Sequence, residues 1–349
     1  MDDLKFLVEK HRELDLLIEK QKNKKTFISD WDCNHPFYRE HFKNLKVKEK
    51  QISRYNYVRG EDDLTKLISK FHHLNGESKY SLDEILTSHG STSLISAFFI
   101  WLRMEKVKYI YYIPPMYFTF HFFARINNIA LRPITKEQLF EKSITLNLPK
   151  QKSIIVLTDP VWYAGCSIPE KTIDKIVKWQ KATQSLVFID GSFQYFKWDE
   201  SKHESTSAFD KDLTFRLICP SKSIATHGFR FSYLLLPNRL YDSFDFILDN
   251  LNGSSNLYDI SFAKKNMELL ISKKSNNELI RYTRKIFLEL FENEIISSTI
   301  DHNCGYFIFA KLNKKIKKIH SMDGKYFEQE KYKDYIRINL LSSCIQDII

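Results

Sequence analysis

Three short stretches of this chain carry residue types that could act together chemically. Glycine is scarce, nine residues in all, so each one marks a demand on the backbone. Gly90 lies in Thr87-Ser88-His89-Gly90-Ser91-Thr92-Ser93, just ahead of a helix-like stretch over residues 94–103. Free N–H groups and hydroxyls at a helix N-terminus make a seat for an anion. An ordinary N-cap by Ser91 or Thr92 accounts for the same text. Asp190 closes the apolar run 186–189 and opens Asp190-Gly191-Ser192-Phe193. A carboxylate at the end of a buried strand needs a partner; a pyridinium nitrogen, an arginine or a lysine would each serve. Lys222 stands in Cys219-Pro220-Ser221-Lys222-Ser223, directly after another apolar run, with Gly228 and Arg230 following. Such a lysine sits either in a surface loop or beside a core strand, where its amine must be satisfied. Condensation with an aldehyde cofactor satisfies it chemically. Arg230 can reach the same place as a fixed partner for a phosphate.

The elements that must position these residues follow from the hydrophobic pattern. Residues 107–113 are β-branched and aromatic and stop at Pro114-Pro115; 153–157 read as a buried strand ending at Asp159-Pro160. A charged helix over 170–183 starts behind Pro169, where a missing N–H costs little. Runs at 186–189, 217–219 and 231–236 complete the series. Strand, helix, strand in repetition predicts a doubly wound α/β domain, whose ligands bind at the carboxyl ends of the strands. After residue 240 the text changes to helical stretches at 242–251 and 259–290, then short strands at 306–310 and 335–340. That is the pattern of a separate small α+β domain. Leu4, Leu7, Leu14, Leu17 and Ile18 recur at helical spacing, which predicts one amphipathic N-terminal helix docked by its apolar stripe. The expected division is therefore an N-terminal segment 1–45, a large domain 46–240 and a small domain 241–349.

Composition narrows the function classes. Hydrophobic residues at 43% describe a globular chain, not a disordered one. The longest apolar run, 94–102, is too short to cross a bilayer, and the start Met-Asp-Asp-Leu-Lys has no apolar leader. A cytoplasmic protein without a membrane partner is the expectation. Cys33, Cys166, Cys219, Cys304 and Cys344 form no C-x-x-C pair, which suits free thiols in a reducing compartment and no metal site. The net charge of +10 lies largely in runs such as Lys22-Asn23-Lys24-Lys25 and Lys314-Lys315-Ile316-Lys317-Lys318. These read as solvated surface, so no nucleic-acid partner is expected.

Taken in order, Gly90-Ser91-Thr92, Pro115-Met116-Tyr117, Asp159-Pro160 to Ala164-Gly165, Asp190, Ser221-Lys222 and Gly228-Phe229-Arg230 form a recognisable set. In order and spacing it resembles the class I/II aminotransferases, which use pyridoxal 5′-phosphate (PLP) on fold type I. The length is most like the histidinol-phosphate branch. The resemblance spans roughly residues 50–340. It implies that Gly90, Ser91 and Thr92 cradle the cofactor phosphate with Arg230, and that Tyr117 stacks on the ring. It implies further that Asp190 keeps the ring nitrogen protonated, and that Lys222 carries the cofactor as an aldimine and then moves the substrate Cα proton. Arg337, in Tyr335-Ile336-Arg337-Ile338, matches the arginine that grips the substrate α-carboxylate; a surface arginine at a strand edge is the other reading. Tyr55 or Tyr57 resembles a tyrosine that reaches the phosphate across a dimer interface. A homodimer acting on an amino acid, with a 2-oxo acid as acceptor, is the implied setting.

Three positions depart from the family pattern. Trp162 stands where an asparagine donates to the cofactor's ring oxygen, Phe193 where a tyrosine donates to the same oxygen, and Cys219 where a serine is usual. Either Tyr163 or Tyr195 replaces the missing donors, or the electronics of the site differ. The departures leave open another PLP reaction on the same fold (decarboxylation, elimination, cyclisation or oxidation) and a non-catalytic relative. Substrate specificity would rest on residues 31–38 and the loop after Tyr117.

Overall fold

A computed structural model of the chain describes residues 28, 37, 62–137, 140, 141, 144–199, 204–253, 255–313, 322, 323 and 330–349. The expected N-terminal helix, Cys33, Tyr55, Tyr57, both lysine runs and all of residues 31–38 except Phe37 lie outside that set.

Eleven strands and eight α-helices among the described residues build an α/β fold around two sheets. The large sheet comprises β1 (Ile85–Ser88), β2 (Tyr109–Tyr112), β3 (Ala130–Pro133), β4 (Ile154–Thr158), β5 (Leu186–Gly191), β6 (Thr214–Ile218) and β7 (Ser232–Leu235). Its order is β1-β7-β6-β5-β4-β2-β3. All neighbours run parallel except β7, which is antiparallel to both β1 and β6. β5 and β6 are buried along their whole length, as central parallel strands covered on both faces must be. Their side chains alternate between two cores. Leu186, Phe188, Phe215 and Leu217 face a cluster with Phe98, Trp101 and Phe244. Val187, Ile189 and Ile218 face a second cluster with Leu64, Ile68, Ile173 and Ile176.

Helices α1 (Asp62–Leu74), α2 (Ser91–Met104), α3 (Phe118–Ile126) and α4 (Glu170–Thr183) follow in order. Next come the single turn α5 (Pro220–Ser223), then α6 (Tyr241–Asn252), α7 (Leu257–Ser272) and α8 (Lys274–Glu292). The expected helix over 259–290 is two helices. Lys273, in the left-handed region at φ 57°, breaks the chain direction between α7 and α8. Phe244 and Leu248 of α6 join the core on the α2 side of the large sheet, so the helix directly after residue 240 covers that sheet. The second sheet is antiparallel, in the order β10 (Met322–Asp323), β11 (Tyr335–Asn339), β9 (Phe307–Leu312), β8 (Ile296–Ser297).

One charged cluster sits inside the large sheet. Arg216, in the middle of β6 and 2% exposed, donates to Glu77, to Gln194 Oε1 at 2.8 Å and to the Tyr195 hydroxyl at 3.1 Å. The Tyr195 hydroxyl donates to Glu77 Oε1 at 2.6 Å, and His72 bonds the Tyr233 hydroxyl at 2.9 Å. Burial opposes a charge on Glu77, but Arg216 and His72 outweigh it and hold this carboxyl well below the usual carboxylate range.

The turn from Asp159 to Gly165 carries the chain from β4 towards the second sheet. Gly165 has φ +62°, and a Cβ there would run into the carbonyl of Phe307 and come within 3.1 Å of the Cys304 carbonyl. Gly253 has the same φ but open space around it. Gly165→Ala is therefore expected to lose roughly 2–4 kcal/mol of stability, and Gly253→Ala only about 1 kcal/mol. Equal midpoints for the two variants in urea denaturation would refute the close approach.

Candidate active site

The site forms where β1, β5 and β6 end. After β1 the chain turns through Gly90, at φ +99°, into α2. Gly90 itself is the N-cap, with Ser91 and Thr92 as the first two helical residues and no side-chain cap bond. The expected cap by Ser91 or Thr92 is thus corrected. Both side chains lie in the first turn, beside N–H groups that no capping side chain has taken. The reason for glycine here is direct. A Cβ at Gly90 would lie 2.8 Å from Arg230 Nη2, so the guanidinium rests against the bare backbone at the positive end of α2.

After β6, Cys219 caps α5 and Pro220 occupies its first position, where its missing N–H is harmless. Lys222 therefore belongs to a helical turn, not to a loop. Its Nζ lies 4.7 Å from the centre of the Phe193 ring and 5.9 Å from that of Tyr117. Among the described residues it has no hydrogen-bond or ion-pair partner. An amine held among aromatic faces in this way is placed to react instead of to bridge.

Gly90, Ser91, Thr92, Tyr117, Phe193, Cys219, Lys222 and Arg230 line one cavity of about 260 Å³. Asp190, Trp162 and Arg337 do not line it; they stand behind it. Asp190 is 3% exposed, and its Oδ1 accepts from Ser192 N at 3.1 Å and Ser192 Oγ at 2.5 Å. The Ser192 hydroxyl in turn accepts from the Cys219 thiol at 3.3 Å, and that sulfur accepts from Ser232 Oγ at 3.0 Å. A chain of polar hydrogens thus leads from the cavity wall to the carboxylate. Burial, reinforced by the Asp190 charge, pushes the Tyr117 phenol up to about 12. Trp162 packs edge-on against Tyr117 at 5.6 Å between centroids.

Arg337 settles one open reading. It lies in β11 between β10 and β9 and is fully buried, so it is no surface arginine at a strand edge. Its Cζ is 4.7 Å from the centre of Phe307 and 5.8 Å from that of Trp162. Neither of the two proposed replacements for the missing ring-oxygen donors lines the cavity. The Tyr195 hydroxyl is committed to the Glu77–Arg216 cluster. Tyr163 is fully buried against Trp162 and Phe309.

Sequence reasoning missed Ser221, Ser232, Phe118, His227 and Phe307 on the cavity wall. His227, between Lys222 and Arg230, could have been found by its place in that motif. Phe307 arrives from β9 and has no local signal. Among the described residues no group of His, Cys, Asp and Glu could hold a metal ion, and no helix is long and apolar enough to cross a membrane. The arrangement can seat a phosphate beside Arg230 at the head of α2, with the Lys222 amine on the same cavity wall.

Comparison with known proteins gives the same frame. The sequence profile described as aminotransferase class I and II matches residues 34–344. The chain is 23% identical over 252 residues to the histidinol-phosphate aminotransferase of Pyrococcus furiosus, covering 68% of this chain and 69% of that one. Its fold is similar to the aspartate aminotransferase of Thermotoga maritima, with TM-score 0.76, 15% identity, and 97% and 95% of the two chains covered. It is also similar to the N-succinyldiaminopimelate aminotransferase of Mycobacterium tuberculosis, with TM-score 0.74, 13% identity, and 92% and 91% covered. The chain belongs to the class I and II aminotransferase family, and is an enzyme that transfers amino groups.

Proposed function

We propose that the cavity holds PLP, that Lys222 is its covalent anchor, and that an amino acid is the amino donor. The observation that carries this reading is the convergence on one cavity of a lysine amine with no partner among the described residues, an arginine and a helix N-terminus. When bound, PLP supplies a carbonyl carbon for amines and a ring that draws electrons from the substrate Cα.

The chain's own residues do the rest. Gly90, Ser91 and Thr92 bind the phosphate at the head of α2, and Arg230 neutralises it. Lys222 Nζ would move the proton at the substrate Cα. Tyr117 covers one face of the ring. Asp190, oriented by Ser192 and Cys219, would pair with the ring nitrogen and keep it protonated. Arg337, behind Phe307 of the cavity wall, would bind the substrate α-carboxylate. The same reading gives a homodimer in the cytoplasm, a 2-oxo acid as acceptor, and a large cofactor domain from residue 46 that takes in α6, where the expected boundary was 240, followed by a smaller one.

Purified protein mixed with PLP is expected to show a visible band. Borohydride should then fix the cofactor on the peptide containing Lys222. A Lys222→Ala protein that still fixes it would overturn the anchor.

Charge separates two further roles. Asp190→Asn should lower turnover by about three orders of magnitude, equivalent to ~4 kcal/mol at the transition state, with a smaller loss of cofactor affinity. Arg230→Ala should do the reverse, raising the PLP dissociation constant most. An Arg230→Ala protein that binds PLP as tightly as wild type is incompatible with the phosphate role.

Phe193 places a ring, not a hydroxyl, beside Lys222. Without a donor to the cofactor's ring oxygen, the Lys222 nitrogen should keep its proton to higher pH once joined. In the PLP-loaded protein, Phe193→Tyr should move the pH midpoint of the visible band down by about one unit, or ~1.4 kcal/mol. A spectrophotometric titration in which the midpoint stays put counts against this account.

A further inference from the structure

His227 is a polar group on the cavity wall that the roles above do not use. It lines the cavity together with Lys222 and Arg230. Its Nε2 lies 2.6 Å from the hydroxyl of Tyr306, directly before β9. Its Nδ1 is buried and has no hydrogen-bond partner among the described residues. A buried polar nitrogen left unpaired costs about 1–3 kcal/mol, so this atom calls for a partner beyond the described residues. Arg230 Nη1 donates to the His227 carbonyl at 3.3 Å, which ties this residue to the guanidinium resting on Gly90.

The ionisation state points to the kind of partner. Burial, with the charges of Lys222 and Arg230 close by, pushes the imidazole down to about 3, so it is neutral at neutral pH. Neutral imidazole carries one N–H and one acceptor nitrogen. If the Tyr306 hydroxyl donates to Nε2, the proton must sit on Nδ1. Neither Lys222 nor Arg230 has a carboxylate partner among the described residues, so the ligand expected beside them is an anion.

We propose that His227, oriented by Tyr306, is an additional ligand of the cofactor phosphate, donating its Nδ1–H to a phosphate oxygen. This rests on the PLP reading above. It adds a hydrogen-bond donor to the seat without adding a third positive charge. It also ties phosphate binding to the second sheet, because Tyr306 is continuous with Phe307 at the start of β9, and Phe307 itself lines the cavity.

The test compares PLP with pyridoxal, which lacks the phosphate. In His227→Leu the dissociation constant for PLP should rise about tenfold, while that for pyridoxal stays within about twofold of wild type. His227→Asn, which keeps an N–H near the position of Nδ1, should recover most of the PLP affinity. Tyr306→Phe should fall between wild type and His227→Leu. Wild-type affinity for PLP in His227→Leu, or an equal loss for PLP and pyridoxal, overturns the phosphate role. Should the leucine variant fail to fold, inorganic phosphate added to wild-type apoprotein must shift the His227 ring resonances, identified by their loss in His227→Asn. No shift at saturating phosphate also overturns it. Wild-type protein that binds no PLP at all removes the underlying reading, an outcome distinct from these.

Discussion

Parallel pairing of β5 with β6 sets Asp190 opposite Leu217 and Gly191 opposite Ile218, and the site depends on that register. Because the two strands run the same way, the residues that follow them emerge at one edge of the sheet. A carboxylate at the end of β5 then stands behind the cavity wall that carries the lysine just past β6, linked to that wall through Ser192 and Cys219. A slip of one residue would turn Asp190 to the other face. The alternation of Val187 and Ile189 against Leu186 and Phe188 guards against it, since both faces carry packed cores. Core packing and site geometry are thus one constraint.

That constraint has a cost inside the sheet. Arg216 alternates with Phe215 and Leu217 and is buried on the face opposite to theirs. A buried guanidinium is tolerable only when paired, and breaking such a pair costs on the order of 3–5 kcal/mol. Glu77 pairs its charge, and Glu77, Gln194 and Tyr195 accept from its two terminal nitrogens. The consequence reaches the active site. Tyr195, two residues beyond Phe193, has its hydroxyl committed to that cluster and leaves the cavity wall beside Lys222 to a plain aromatic ring.

Electrostatically the cavity is poised for an anion. Lys222, Arg230 and the positive end of α2 converge on it, and Asp190 stands behind its wall. Burial lowers the proton affinity of His227 and the charges of Lys222 and Arg230 lower it further, while burial raises that of Tyr117 and the Asp190 charge adds to it. Opposite fields thus meet over a short distance, which suits a ligand with a negative phosphate at one end and a protonated ring nitrogen at the other.

Much of the fold was legible in the sequence because strands and helices follow local periodicity. The runs ending at Asp159 and Asp190, the helix behind Pro169 and the order of Gly90, Asp190, Lys222 and Arg230 all rest on residues close together in the chain. The family, and with it the chemistry of amino-group transfer, came from that order. What only the tertiary structure decided depends on residues that are far apart. Burial of Arg337 needs β9 and β10 on either side of it. The diversion of Tyr195 needs Glu77, 118 positions away. The bond between His227 and Tyr306 spans 79 positions. The helix break at Lys273 is a single left-handed residue that no hydrophobic period announces, because a period records which face is apolar and not where the chain turns. Local patterns encode elements, whereas the partners of a buried polar group are chosen by packing, and packing brings together stretches of chain that carry no mark of one another.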